Sequence, residues 1–142
     1  MKLETQVCDL YFAELLKKLG VKQDSYFIYV GNKDNYEIRL SSSIHLIPAN
    51  VICSTFTVSE LGNMLLAFPY PADYKTRWYD NGGVDFEIQF SRTYQGKLSD
   101  KRRKIYQKLL KYRIDSKYDN MPKTEANARA KMLVYLLENK II

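Results

Sequence analysis

Few residues in this chain are equipped for chemistry. One histidine, His45, and two cysteines, Cys8 and Cys53, fall one ligand short of a four-ligand zinc site. Nucleophilic catalysis needs a nucleophile, a base to activate it and a group to orient the base. His45 lies between Ile44 and Leu46, the setting of a strand residue rather than of a base. Cys8 follows Val7 and Cys53 follows Val51-Ile52, with no basic neighbour in sequence to lower either pKa. Both read as small core residues carrying free thiols. No GxxxxGK[ST] or GxGxxG loop is present to cradle a phosphate; the one Gly-Gly is Gly82-Gly83. Asp85 and Glu87 sit two apart on a strand pattern, near Asp80, and face the same way. That spacing suits a divalent ion, but a solvated strand face is the simpler reading. A site built from His45, Asp85 and Glu87 is the least favoured of the functional readings. The expectation is a protein that is not an enzyme and uses no metal or cofactor.

Charge is more telling. The 142 residues carry a formal charge of +6, from 22 Lys+Arg against 16 Asp+Glu. Ten of the basic residues fall between Arg92 and Lys117, opposed only by Asp100 and Asp115; the rest of the chain is slightly acidic. Such a local field attracts phosphate backbones or acidic protein surfaces. On a helical wheel Lys101, Lys104, Lys108 and Lys111 fall within about 80° of one another, and Arg103 adds to the basic surface. Ile105, Tyr106, Leu109 and Leu110 are placed opposite, with Arg102 and Arg113 at the apolar edge. The stripe is about 15 Å long and spans roughly four or five phosphates of one strand. Tyr94, Tyr106, Tyr112 and Tyr118 interleave with it and suit stacking on exposed bases. Lysines are point charges without bidentate base readout, so nucleic-acid binding here is expected to be weak in sequence preference and steep in salt.

Twelve tyrosines are the second oddity. Tyr26, Tyr29 and Tyr36 occupy strand-like positions. Tyr70, Tyr74, Trp78 and Tyr79 fall between Pro69 and Gly83, a stretch that reads as an irregular aromatic loop. A loop of that length either binds a partner or orders against the core, and covering the core is the preferred reading.

The elements that position these groups follow from periodicity. Val7, Leu10, Tyr11, Leu15 and Leu19 predict a helix over Thr5 to Leu19, closed by Gly20. Ser25 to Val30 and Tyr36 to Leu40 predict a hairpin around Gly31–Asn35, and Asn50 to Phe56 a further strand. Thr57-Val58-Ser59-Glu60 is a capping box opening a helix that Pro69 ends. Val84, Phe86, Ile88 and Phe90 alternate with Asp85, Glu87 and Gln89, predicting a strand with one buried and one wet face; Asn81-Gly82 before it signals a second hairpin, flanked on its other side by Trp78-Tyr79. Ser99-Asp100 begins a helix to about Arg113, and Thr124 caps a last helix running to Asn139. Hydrophobic residues at 46% and charged residues at 27% suit one ordinary domain. The expected architecture is a single α+β domain over residues 1–142, its antiparallel sheet built from hairpins and its helices packed mainly on one face. No apolar run approaches the ~20 residues of a membrane span and no signal-peptide layout is visible, so a cytoplasmic protein with no membrane partner is expected.

Three blocks carry a resemblance. Phe56 to Leu65 (FTVSELGNML) resembles the "FTVxELGxML" block of a family of small uncharacterised proteins from Bacteroidales phages, prophages and mobile elements. Thr124 to Asn139 is similar to its "TEADARAKMLIYLxEN" block, and Leu16 to Tyr29 to its opening "LGVKQxSxFYW". Together they cover about 40 of the 142 residues, in the family's order. Asn127 stands where an acidic residue is common, and the basic segment from Arg92 to Lys117 is not part of the resemblance. The resemblance implies a cytoplasmic phage accessory protein and no particular activity. The leading expectation is therefore a non-enzymatic protein that binds a macromolecular partner, a host-defence component being one instance. The alternative is a nucleic-acid-binding module using the helix at 100–113.

Overall fold

The computed structural model describes residues 2–43, 50–90, 99–116 and 121–142. In chain order the main elements are α1 (Leu10–Lys18), β1 (Phe27–Asn32), β2 (Asn35–Leu40), β3 (Val51–Thr55), α2 (Val58–Leu65), β4 (Ala72–Trp78), β5 (Val84–Phe90), α3 (Asp100–Ser116) and α4 (Glu125–Glu138). The class is α+β, and among the described residues every strand pairing is antiparallel. The strands form two small sheets rather than one, in the orders β2-β1-β3 and β4-β5.

Caps fix the helix starts. Asp9 accepts from the Phe12 amide at 3.0 Å, so α1 begins at Leu10, later than the periodicity of Thr5 to Leu19 predicts. Val7 instead forms a bridge with Thr57. The capping box at α2 is complete: the Glu60 amide donates to Thr57 Oγ1 at 3.2 Å and the Thr57 amide to Glu60 Oε2 at 2.8 Å. Thr124 caps α4 in the same way through the Asn127 amide. Gly20 closes α1 at φ +85°.

The core gathers around α4. Its Ala126, Ala128, Ala130, Met132, Leu133, Val134 and Leu136 are all buried, so most of its circumference is covered. α1, α2 and β5 all pack against it. Leu16 of α1, Phe56, and Leu61 and Leu65 of α2 complete the centre. Asn127 binds α4 to the start of α1, accepting from the Asp9 amide at 2.8 Å and donating to Asp9 Oδ2 at 3.1 Å.

Two strand expectations change. The stretch from Pro69 to Gly83 is not an irregular loop: β4 occupies Ala72–Trp78 and pairs along its whole length with β5, from Ala72↔Phe90 to Trp78↔Val84. Nor does β5 have a wet face, because Asp85 and Glu87 are as buried as Phe86 and Ile88. The apolar face meets α4, and α3 packs on the strand as well. Since α3 contributes residues beside Glu87, the face expected to be solvated lies beneath a helix.

Candidate binding surfaces around α3

Ser99 opens α3, accepting from the Arg103 amide through its carbonyl at 2.9 Å. Ile105, Leu109 and Tyr112 form its buried line. Lys101, Arg103, Lys104, Lys108 and Lys111 are all exposed, which places the basic surface where the wheel put it. Its relation to the apolar side differs from expectation. Tyr106 and Leu110, opposite the lysines, retain 40% and 38% exposure, and the buried line runs beside the lysine stripe instead. A two-stranded hairpin is too narrow to cover half a helix, so one flank of α3 overhangs it.

The basic residues are not equivalent. Arg103 lies 3.8 Å from Asp100 in an exposed i,i+3 pair, a contact worth little. Lys108 is tied down: its Nζ donates to the Asn139 carbonyl at 3.1 Å, while its own carbonyl accepts from Tyr135 Oη at 2.8 Å. The end of α4 thus holds the middle of α3. Lys101, Lys104 and Lys111 make no side-chain hydrogen bond or ion pair with any described residue. Arg92, Tyr94, Lys97, Lys117 and Tyr118 lie outside the described residues, as does His45.

The four aromatics expected in one loop are dispersed. Tyr74, on β4, packs near Phe86 with ring centroids 6.3 Å apart and donates to the Leu65 carbonyl at 3.4 Å; burial raises its pKa. Tyr70 stands edge-on to Phe68 and beneath the Arg102 guanidinium, 4.8 Å from the ring centre. The Tyr79 hydroxyl is buried. Trp78 ends β4 with 66% of its surface exposed.

Glu87, expected on a solvated strand face, is instead buried between two arginines. Only 3% exposed, it receives Arg77 Nη2 on Oε2 at 3.0 Å and lies 3.1 Å from Arg113 Nε at Oε1. Gln89 Nε2 donates to Oε2 at 2.7 Å. The Arg113 N–H is not directed along its contact, so Oε1 holds an ion pair without a hydrogen bond. One carboxylate therefore joins β4, β5 and α3. Asp85 lies on the same face, its Oδ1 accepting from the Phe86 amide at 2.9 Å. Tyr112 packs nearby with its hydroxyl buried; burial first, and the negative charge of Asp85 second, push its pKa up.

The thiols lie elsewhere. Cys8 and Cys53 are buried and unpaired, and burial pushes each up to about 11. The Cys8 carbonyl accepts from Thr55 Oγ1 at 2.6 Å and from Tyr29 Oη at 2.9 Å, a structural use of that position. Among the described residues no cluster of three His, Cys, Asp or Glu has metal-binding geometry, and no helix is long and apolar enough to cross a membrane. Comparison of the chain with protein-family models, with curated proteins and with solved structures gives no match.

Proposed function

We propose that the chain is a non-enzymatic binding protein of a phage or mobile element, acting in the host cytoplasm, and that the basic face of α3 grips the phosphate backbone of a nucleic acid. One observation carries the reading: Lys101, Lys104 and Lys111 project from a single exposed helix face without a neutralising partner among the described residues, around a Lys108 anchored to α4. Unpaired lysines on a rigid rod give sequence-independent attraction to a polyanion through counterion release. The decisive experiment is fluorescence anisotropy with short duplex DNA, single-stranded DNA and RNA at several salt concentrations. Binding that persists near 150 mM salt, with a log–log slope of about −3 set by three to four neutralised phosphates, is the expected result. K101E/K104E/K111E should abolish it. Binding absent at physiological salt, or unchanged in that variant, refutes the reading.

A protein partner, such as a host-defence component, is the second reading. It is favoured by the exposure of Trp78 at the hairpin end, where a large aromatic with a polar edge suits an interface. Its test is capture of one stoichiometric host protein by the wild-type chain and not by Trp78→Ala.

A further inference from the structure

A cavity of about 400 Å³ opens between the charged face of β4–β5 and the overhanging flank of α3. We propose that it binds a small organic oxyanion, a carboxylate or phosphate ester carrying a flat apolar body. The volume lies within the range of small-molecule sites. Lys75, Arg77 and Arg113 line it together with the carboxylates of Glu87 and Asp73. Three cations against two carboxylates leave the lining one positive charge in excess, with Asp85 just outside it opposite Arg77. Asp73, the other acidic lining residue, is two positions from Lys75 on the same face of β4, about 7 Å away, and four from Arg77, about 13 Å away.

The cations are arranged in advance. Because Arg77 and Arg113 are already held by a buried carboxylate, an arriving anion does not have to order them. The apolar wall comes from Tyr106 and Leu110, one helical turn apart and partly exposed, where a ring can lie flat. One buried polar atom of the lining that can donate to an oxyanion, the Tyr112 hydroxyl, has no hydrogen-bond partner among the described residues. Such an atom ordinarily meets a water or a ligand. The site lies on the flank of α3 away from the lysine stripe, so it stands independently of the polyanion reading.

The test is isothermal titration calorimetry of the full chain with adenosine monophosphate, 1-naphthoate and inorganic phosphate. At least one of the first two should bind saturably, with Kd from about 10 μM to 1 mM, and phosphate at least about tenfold more weakly. Which of the two prevails distinguishes a phosphate from a carboxylate ligand. Lys75→Gln and Tyr106→Ala, both at exposed positions, should each weaken binding by about three- to tenfold. K101E/K104E/K111E should leave it unchanged. No saturable heat from either organic anion up to about 5 mM overturns the proposal. So does affinity that survives both Lys75→Gln and Tyr106→Ala, or that is lost in the triple lysine variant.

Discussion

Glu87→Gln removes one negative charge from beneath α3 while keeping the shape of the side chain. Two arginines then face each other across the hairpin–helix junction without their shared counterion. Breaking a fully buried ion pair ordinarily costs about 3–5 kcal/mol, because the remaining charge is stranded. Here the stranded charges are not fully buried: the Arg77 and Arg113 side chains are 36% and 39% exposed and regain water when released. Discounting for that hydration leaves about 1–2 kcal/mol for Glu87→Gln. Glu87→Ala should cost about 1 kcal/mol more, since it also leaves a void. Urea unfolding followed by circular dichroism reads both losses as lower midpoints at an unchanged m. A double-mutant cycle with Arg113→Gln should return a coupling of about 1 kcal/mol, and added salt should weaken it less than it weakens the exposed Arg103–Asp100 pair. If Glu87→Gln unfolds within about 0.3 kcal/mol of wild type, and the cycle shows no coupling, the carboxylate does not hold α3 to the hairpin. The buried line of Ile105, Leu109 and Tyr112 would then carry that attachment.

Other perturbations test other joints. Gly31 sits at φ +128°, and a Cβ there would lie 2.3 Å from the Asn35 carbonyl oxygen, so Gly31→Ala should cost at least about 2 kcal/mol in the same urea assay. Asn127→Asp sets a second carboxylate against Asp9 Oδ2 and should lose about 0.5–1 kcal/mol at neutral pH. The loss is read as a lower midpoint in the same urea assay. The folded thiols of Cys8 and Cys53, held near 11 against an ordinary 9.0, favour the native state fully below pH 9. Unfolded thiolates form first above it, so each thiol should remove about 1.4 kcal/mol of stability per pH unit between 9 and 11, and a Cys8→Ala/Cys53→Ala variant should lose stability less steeply by that amount per thiol, most cleanly below pH 10 where the buried tyrosines do not yet contribute. A thiol reagent at pH 8 should label neither cysteine until urea unfolds the chain.

The sequence displays some of these features more openly than others. The capping box at Thr57 and Glu60, the Gly20 stop and the lysine face of α3 rest on local rules, and the structure places each where those rules put it. The turn signal placed Trp78 in a hairpin with β5, but the extent of β4 escaped because its alternation joins charged residues (Asp73, Lys75, Arg77) to others that are not uniformly aliphatic (Ala72, Tyr74, Thr76, Trp78), so no period-2 apolar signal stands out. The turn at Asp80–Gly83 nonetheless contained the answer. Closing it with Trp78 against Val84 brings Arg77 opposite Asp85 and Lys75 opposite Glu87, an arrangement in which opposite charges meet across the strands. What no local rule supplies is the helix above them. A D-x-E-x-Q face reads as solvated until α3, which begins at Asp100, fifteen residues beyond Asp85, folds back over it.

α3 serves two surfaces from one set of anchors. Its hydrophobic contact is slight, Ile105, Leu109 and Tyr112 being its buried apolar side chains among the described residues. Two polar joints supplement that contact from different sides: Arg113 on Glu87, and Lys108 with Tyr135 and Asn139 at the end of α4. A lysine face held at both joints presents its charges at fixed spacing, which lowers the entropy lost on meeting a rigid polyanion. The same two joints leave Tyr106 and Leu110 overhanging the cavity. Loosening the Glu87 joint should therefore disturb both flanks of α3 together, whereas Lys75→Gln should affect the small anion alone. That contrast separates damage to the platform from loss of a contact, because a helix that has merely shifted cannot spare one of its flanks.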